Sequence, residues 1–215
     1  MKIAVIGATG FVGQNLVEEL TRRGHEVVAI ARNLTSLTGK ENIIPKAIDV
    51  NDIPALADGI KGVAVVVSAY NAGWTNPNLY DDFISGAKNI EQAVKDAGVT
   101  RLIVIGGAGS LQIDGKQLVD DPGFPADYKA GAMAARDYLH FLKADKDLDW
   151  SFFSPAIEMH PGITTGRTGQ YRLGKTSPVF NEAGHSILSV QDLAVVIGDE
   201  VENNQHSKQH FTAAY

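Results

Sequence analysis

Met1–Gly13 reads MKIAVIGATGFVG, an apolar run set directly against three glycines spaced by threes, Gly7, Gly10 and Gly13. Ile3–Ile6 is rich in β-branched residues and of strand length, the pattern of a parallel strand buried on both faces. Gly7 can turn the chain tightly at the end of that strand, Gly10 lets backbone come close to a pyrophosphate, and Gly13 lets a following helix lie against the sheet. From Phe11 to Arg23 the apolar residues Phe11, Val12, Leu16, Val17 and Leu20 keep helical spacing, so the free N–H groups of a helix start would face an anion. Gly24 closes this helix and His25–Ile30 supplies a second strand. A glycine triplet in the order strand, turn, helix, glycine, strand predicts a dinucleotide site. Ala8 and Thr9, lying between the glycines, belong to the same predicted cofactor turn.

Beyond this unit the chain alternates regularly. Asn42–Asp49 reads as a short strand, Ile53–Ile60 as a short helix begun after Asn51-Asp52, and Val63–Ser68 as a fully apolar strand. Leu79–Ala97 keeps one apolar face through Leu79, Phe83, Ile84, Ala87, Ile90, Ala93, Val94 and Ala97, and Gly98 stops it. Arg101–Ile105 is the next strand, followed by GGAGSL and a long polar loop to about Ala126. A helix is expected from Tyr128 to Ala144, and a strand over Trp150–Ser154 that ends at Pro155. Such alternation implies right-handed crossovers and a parallel sheet covered on both faces. The expected fold is α/β, a doubly wound Rossmann sheet. The tail from Met159 has a different texture, rich in Gly, Thr and Arg, before a helix over Gln191–Glu202 and a final strand near Gln209–Thr212. Ser189 and Asp192 form a variant capping box for that helix. Residues 1–215 are expected to form one domain, with 159–215 adding a small cap on the substrate side.

Composition narrows the function. With 215 residues, 44% hydrophobic and 20% charged, the chain can bury one sizeable core and resembles an ordinary globular domain. No basic, apolar leader precedes the first strand and no apolar run approaches membrane-spanning length, so neither export nor anchoring is expected. The absence of cysteine excludes disulfides, thiolate metal sites and Cys nucleophiles, and fits a cytoplasmic protein. A net charge of −6 with no basic cluster argues against a nucleic-acid surface. The expected partner is a small-molecule acceptor, and the expected state a monomer or homodimer. His25, His185, His206 and His210 have no metal-ligand spacing, and no metal is expected.

The spacing Gly-x-x-Gly-x-x-Gly, with Thr9 and Phe11-Val12, resembles the short-chain dehydrogenase/reductase superfamily in its extended and atypical branches. In Rossmann units the residue closing the second strand meets the adenosine ribose, where a carboxylate suits NAD and an arginine a 2′-phosphate. Here the strand ends Ala31-Arg32-Asn33, which favours NADP, with NAD as the alternative. The resemblance implies an adenine contact for Asp49-Val50, although a turn-forming carboxylate is an equal reading of Asp49. Ser68-Ala69-Tyr70 follows the fourth strand on the edge where ligands collect. Gly106-Gly107-Ala108 leaves room near the nicotinamide, unless those small residues only relieve crowding, and Pro155-Ala156 is implied to pass along the carboxamide.

The superfamily's usual catalytic set is a Ser after the fifth strand and a Tyr-x-x-x-Lys on the next helix. Ser110 fits the first. Tyr128 is followed four residues on by Ala132, and Tyr138 by Leu142, so the lysine is missing. Lys129 cannot replace it, because i and i+1 do not face each other on a helix. This departure, with GGAGSL, Leu148-Asp149-Trp150, Ser154-Pro155-Ala156 and RTGQYRLG ending at Gly174, closely resembles an atypical branch of NAD(P)H-binding proteins named for NADH-flavin reduction, and is similar to biliverdin/flavin reductases. The resemblance spans essentially the whole chain and implies hydride transfer to a flat flavin-like or quinone-like acceptor, with little acid/base help. Tyr70 and Trp74 are candidate platforms for that acceptor, His160 a candidate proton donor, and Arg167 a clamp for an acidic group. Two other readings follow: a non-catalytic NAD(P)-binding redox sensor of the NmrA-like kind, and a nucleotide-sugar epimerase or dehydratase.

Overall fold

The computed structural model describes residues 1–35, 37 and 41–215. In chain order it contains β1 (Lys2–Ile6), α1 (Phe11–Arg22), β2 (Glu26–Ala31), β3 (Ile43–Ala47), α2 (Ile53–Gly59), β4 (Val65–Ser68), α3 (Leu79–Asp96) and β5 (Arg101–Ile105). The two-residue strands β6 (Gln112–Ile113) and β7 (Lys116–Gln117) follow, then α4 (Ala126–Ala144), β8 (Asp149–Ser154), β9 (Arg172–Gly174), α5 (Val190–Asn203) and β10 (Gln209–Ala214). The main sheet has the order β3-β2-β1-β4-β5-β8-β10-β9. Neighbours from β3 across to β10 are parallel, and β9 closes the edge antiparallel to β10. The chain steps outward from β1 to β3, then crosses back to β4 on the other side of β1. The turns after β1 and β4 therefore part company, and the crevice between them is where an open α/β sheet receives its ligand.

One face of the sheet is covered by α2, α3 and α4, whose Leu56, Ile90, Val94 and Leu142 pack with Val66 and Phe152. The other is covered by α1 and α5, with Leu16, Leu20, Leu193 and Ile197 meeting Val67 and Phe211. β4 is buried at all four residues, as expected for a strand between two helical layers. Gly24 and Gly98 end α1 and α3 with φ of 80° and 71°, a backbone only glycine adopts freely. Helix α4 starts two residues earlier than its periodicity predicts, with Pro125 in the N-cap position.

The tail departs from the expected cap. β10 pairs in parallel with β8 and lies inside the sheet, and α5 is buried along α1. Arg23 of the α1 cap ties the two helices through Asp199 and Glu202, both at 2.8 Å. Residues 159–189, apart from the short β9, and the turn at 204–208 stay irregular. The predicted cap of α5 forms by half: Ser189 Oγ accepts from Asp192 N–H at 3.0 Å. The return bond does not, because Ser189 N–H donates to Tyr215 Oη and Tyr215 Oη donates to Asp192. Asp192 instead gathers the N–H groups of Thr168 and Gly169, pinning the irregular segment to the helix.

Candidate cofactor and acceptor site

At the end of β1, Gly7 adopts a φ of 78°, and Gly7 and Ala8 both donate N–H to the Ile30 carbonyl, at 2.9 and 3.1 Å. The turn is thereby fastened to the end of β2. A Cβ on Gly7 would stand 2.6 Å from the Ala69 oxygen, and one on Gly13 would stand 2.0 Å from the Gly7 oxygen. Gly10 differs: its φ is an ordinary −75°, and a Cβ there meets only the Gly7 oxygen at 3.3 Å. Backbone conformation does not demand glycine at this position. Helix α1 opens at Gly10 with no side-chain cap and no acid in its first turn, so its first N–H groups are available to an anion. These features fit the pyrophosphate of a dinucleotide.

A cleft of about 500 Å³ opens at this turn, bounded by Gly7, Thr9 and Gly10. Arg32 and Asn33 after β2, Asp49 and Val50 after β3, and Ala69 and Tyr70 after β4 complete the walls predicted from the sequence. Ala8 and Gly13 are buried, Val12 is half-buried and Phe11 is exposed beside the turn, while Ser68 is enclosed in β4; none of these lines the cleft. Arg32 is exposed at its rim. Asn33 Oδ1 accepts from Thr35 N–H and Oγ1. Asp49 Oδ1 accepts from Asn51 N–H at 2.9 Å, so this carboxylate does shape the turn into α2 while facing the cleft.

Tyr70 is held by α3. Its ring lies over Gly86, where a Cβ would approach it to 2.5 Å, and its phenol donates to the Asp82 carbonyl at 3.1 Å. Burial, then the Asp82 and Asp49 carboxylates, pushes its pKa up against the opposing Arg32, keeping the phenol neutral. This makes Tyr70 a fixed wall of the cofactor cleft. Sequence reasoning missed Asn51, Asp82 and Ser85, which line it together with Asn76. The amide-rich loop Tyr70–Pro77 carried the signal for Asn76, which donates to Asp82 Oδ2 at 2.7 Å.

The residues expected around the nicotinamide and the chemistry lie outside that cleft's lining. A Cβ on Gly106 would stand 2.1 Å from the Phe152 ring, so crowding accounts for this glycine, whereas one on Gly107 would meet only Ala135 at 3.8 Å. Ala108 begins a single 3-10 turn that ends at Ser110. Ser110 is 1% exposed, and its Oγ is sealed without a partner among the described residues. Pro155 and Ala156 are buried at the end of β8. Ala132, at the position of the missing lysine, is buried beside Gly109.

Tyr128 and Trp74 are both more than half exposed and meet edge to face, with ring centroids 5.4 Å apart. The Trp74 ring also covers Gly131 of α4. His160 is exposed, and its Nδ1 accepts from Gly162 N–H at 3.1 Å, which puts the proton of the neutral ring on Nε2. Arg167 is otherwise engaged: its guanidinium grips both oxygens of Glu19 on α1, at 2.8 and 2.9 Å. That pair fastens the irregular segment to the helical layer, and Arg167 is not a free clamp.

A model of the NAD(P)H-binding family matches residues 7–204, nearly the whole chain. The protein belongs to the NAD(P)H-binding family. YwnB of Bacillus subtilis (strain 168), uncharacterized, is 35% identical over 99% of this chain and 97% of its own. A solved structure from Bacteroides thetaiotaomicron, provisionally named an epimerase, is 40% identical with a TM-score of 0.90, covering 100% of this chain and 96% of that one. Another, from Streptococcus pneumoniae TIGR4 and provisionally named an NADH-flavin reductase, is 33% identical with a TM-score of 0.87, covering 100% and 99%. A protein of Burkholderia pseudomallei, provisionally named as exported, is 41% identical with a TM-score of 0.87 and complete coverage of both chains. This NAD(P)H-binding protein is thus an oxidoreductase-like Rossmann domain. No helix among its described residues is long and apolar enough to cross a membrane.

Proposed function

We propose that this NAD(P)H-binding protein is an oxidoreductase that passes hydride from NADPH to a flat, flavin-like or quinone-like acceptor. The observation that carries the reading is the pairing of a cleft at the glycine turn with an exposed aromatic edge on the loop that walls it: Tyr70 lines the cleft, and Trp74, four residues on, presents its ring with Tyr128. A reduced nicotinamide supplies the hydride; the chain's own residues bind, orient and shield. Gly10 and the start of α1 receive the pyrophosphate, and Arg32 at the rim suits a 2′-phosphate, with NADH the alternative. Trp74 and Tyr128 offer ring surface for stacking. His160 Nε2–H is the candidate proton donor to the reduced acceptor. Ser110 Oγ, buried without a partner among the described residues, is the candidate catalytic hydroxyl near the end of β5. The name of the Streptococcus pneumoniae relative supports the same acceptor class.

The test is direct. Purified protein is expected to bind NADPH by fluorescence and calorimetry and to oxidise it when free FMN or a quinone is added. Binding of neither NADPH nor NADH would sink the proposal. A second reading, a redox sensor that binds the dinucleotide without chemistry, is favoured by the sealed Ala132 in place of a catalytic lysine. Binding without turnover across a panel of flavins and quinones would decide for it. The epimerase reading rests on the glycine spacing and on the name of the Bacteroides thetaiotaomicron relative; this chain lacks the Tyr-Lys pair such chemistry uses.

The proposal is for a cytoplasmic monomer or homodimer whose partner is a small molecule. The missing cysteines support that compartment, and the name of the Burkholderia pseudomallei relative speaks for export; cell fractionation separates the two.

A further inference from the structure

At the opposite edge of the sheet from the cofactor cleft, the C-terminus of α4 and the N-terminal ends of β8 and β10 border a second, open concavity of about 440 Å³. Three lysines far apart in sequence meet there: Lys143 of α4, Lys175 after β9, and Lys208 before β10. Neither Lys143 nor Lys175 has an ion-pair partner among the described residues, and the Lys208 ammonium donates only to the neutral Lys146 carbonyl. The one acid in the lining, Asp145, is already committed to Lys95 and to the N–H groups of Asp147 and Leu148. Asp149 partly balances Lys208, so in a chain of net charge −6 the positive charge left over in this concavity is that of Lys143 and Lys175.

The pocket's inner wall adds one buried polar group without a partner among the described residues. Trp150 lines it and is 4% exposed, and its Nε1–H is buried with no acceptor among the described residues. A buried donor left unpaired costs about 1–3 kcal/mol, so such groups ordinarily mark an absent partner. His210, also in the lining, gives its Nε2 to Ser154 Oγ at 2.8 Å. Burial, then the nearby Lys143, holds its pKa down to about 4, so near neutrality the imidazole adds hydrogen-bonding capacity and no charge.

We propose that this pocket is a second ligand site, independent of the cofactor cleft, for a small anion carrying a phosphate or carboxylate group. Lys143 and Lys175 supply the attraction as mobile point charges, Thr176 and Gln209 the neutral hydrogen bonds, and the indole of Trp150 a flat wall for the ligand's apolar part. The volume matches the usual range of small-molecule sites.

Inorganic phosphate is the probe. The chain has two tryptophans, so in Trp74→Phe protein the emission of Trp150 alone should change saturably as phosphate is titrated at constant ionic strength. Calorimetry on the unaltered chain reads the same event without the substitution. The Lys143→Ala/Lys175→Ala double variant should weaken binding at least tenfold, and the remote Lys61→Ala should leave it unchanged. Binding should persist in Gly10→Val protein, whose cofactor turn is obstructed. A response matched by chloride, one that never saturates, one that survives the double lysine variant, or one lost with Gly10→Val overturns the proposal.

Discussion

A Cβ on Gly13 would stand 2.0 Å from the Gly7 carbonyl oxygen, whereas one on Gly10 would meet that oxygen at 3.3 Å. The two glycines therefore answer to different constraints. Gly13→Ala drives a side chain into backbone and should destabilise the fold by about 1–3 kcal/mol, the usual cost of overpacking. Gly10→Val should leave thermal unfolding within a few degrees of the parent while abolishing NADPH binding. Calorimetry and a melting curve on both variants check the contrast, and unchanged affinity in Gly10→Val refutes the cofactor site.

Among the described residues, Arg32 is the cationic group in the cleft lining. Arg32→Ala is expected to weaken NADPH by about tenfold, roughly 1.4 kcal/mol, and to leave NADH affinity unaltered. Equal loss for both cofactors would assign Arg32 to a contact other than the 2′-phosphate.

The Trp74 ring meets Tyr128 at the surface and does not line the cofactor cleft. Trp74→Ala should raise the KM for FMN or a quinone several-fold while the dissociation constant for NADPH stays put. Steady-state kinetics with both substrates varied resolves the two; a change confined to NADPH binding would contradict the assignment.

Glu19 titrates with the fold. Arg167, opposed by burial and helped by Arg23, lowers its pKa from 4.5 to about 2. Because the folded-state value is depressed, its stabilisation is present above pH 4.5 and is lost as pH falls from 4.5 towards 2. The linkage amounts to about 3 kcal/mol. Urea unfolding across that range should show the decline, and Glu19→Gln should flatten it.

Glu200 of α5 is 3% exposed and accepts from Arg101 at 2.5 Å, from Ser151 at 3.1 Å and from His206 N–H at 3.0 Å. Glu200→Ala would leave the buried Arg101 guanidinium with only the more distant Asp149 carboxylate, at 3.5 Å, at a cost of up to about 3–5 kcal/mol. A denaturant midpoint close to the parent's would show that water reaches this pair.

The glycine turn and the alternation of strands and helices were legible because each depends on neighbours in the chain. Strand period, helical spacing and a glycine at a forced φ are local properties. The strand β9 was not legible, since three residues with two exposed side chains leave no period to read and only pairing with β10 defines it. Helix α5 and strand β10 were both expected, but the placing of β10 beside β8 and of α5 along α1 rests on contacts between distant segments, which no local pattern announces.

By itself the sequence determined that a dinucleotide turn opens the chain, that a parallel sheet follows and that the usual tyrosine and lysine spacing is missing. Tertiary structure alone decided that Tyr70 lies on α3 as a cleft wall, that Arg167 is held by Glu19, and that Lys143, Lys175 and Lys208 share one pocket. Those outcomes depend on distances between residues far apart along the chain. A side chain's partners are set by packing and charge in three dimensions, whereas the turn at Gly7–Gly13 is set by backbone geometry over a few consecutive residues.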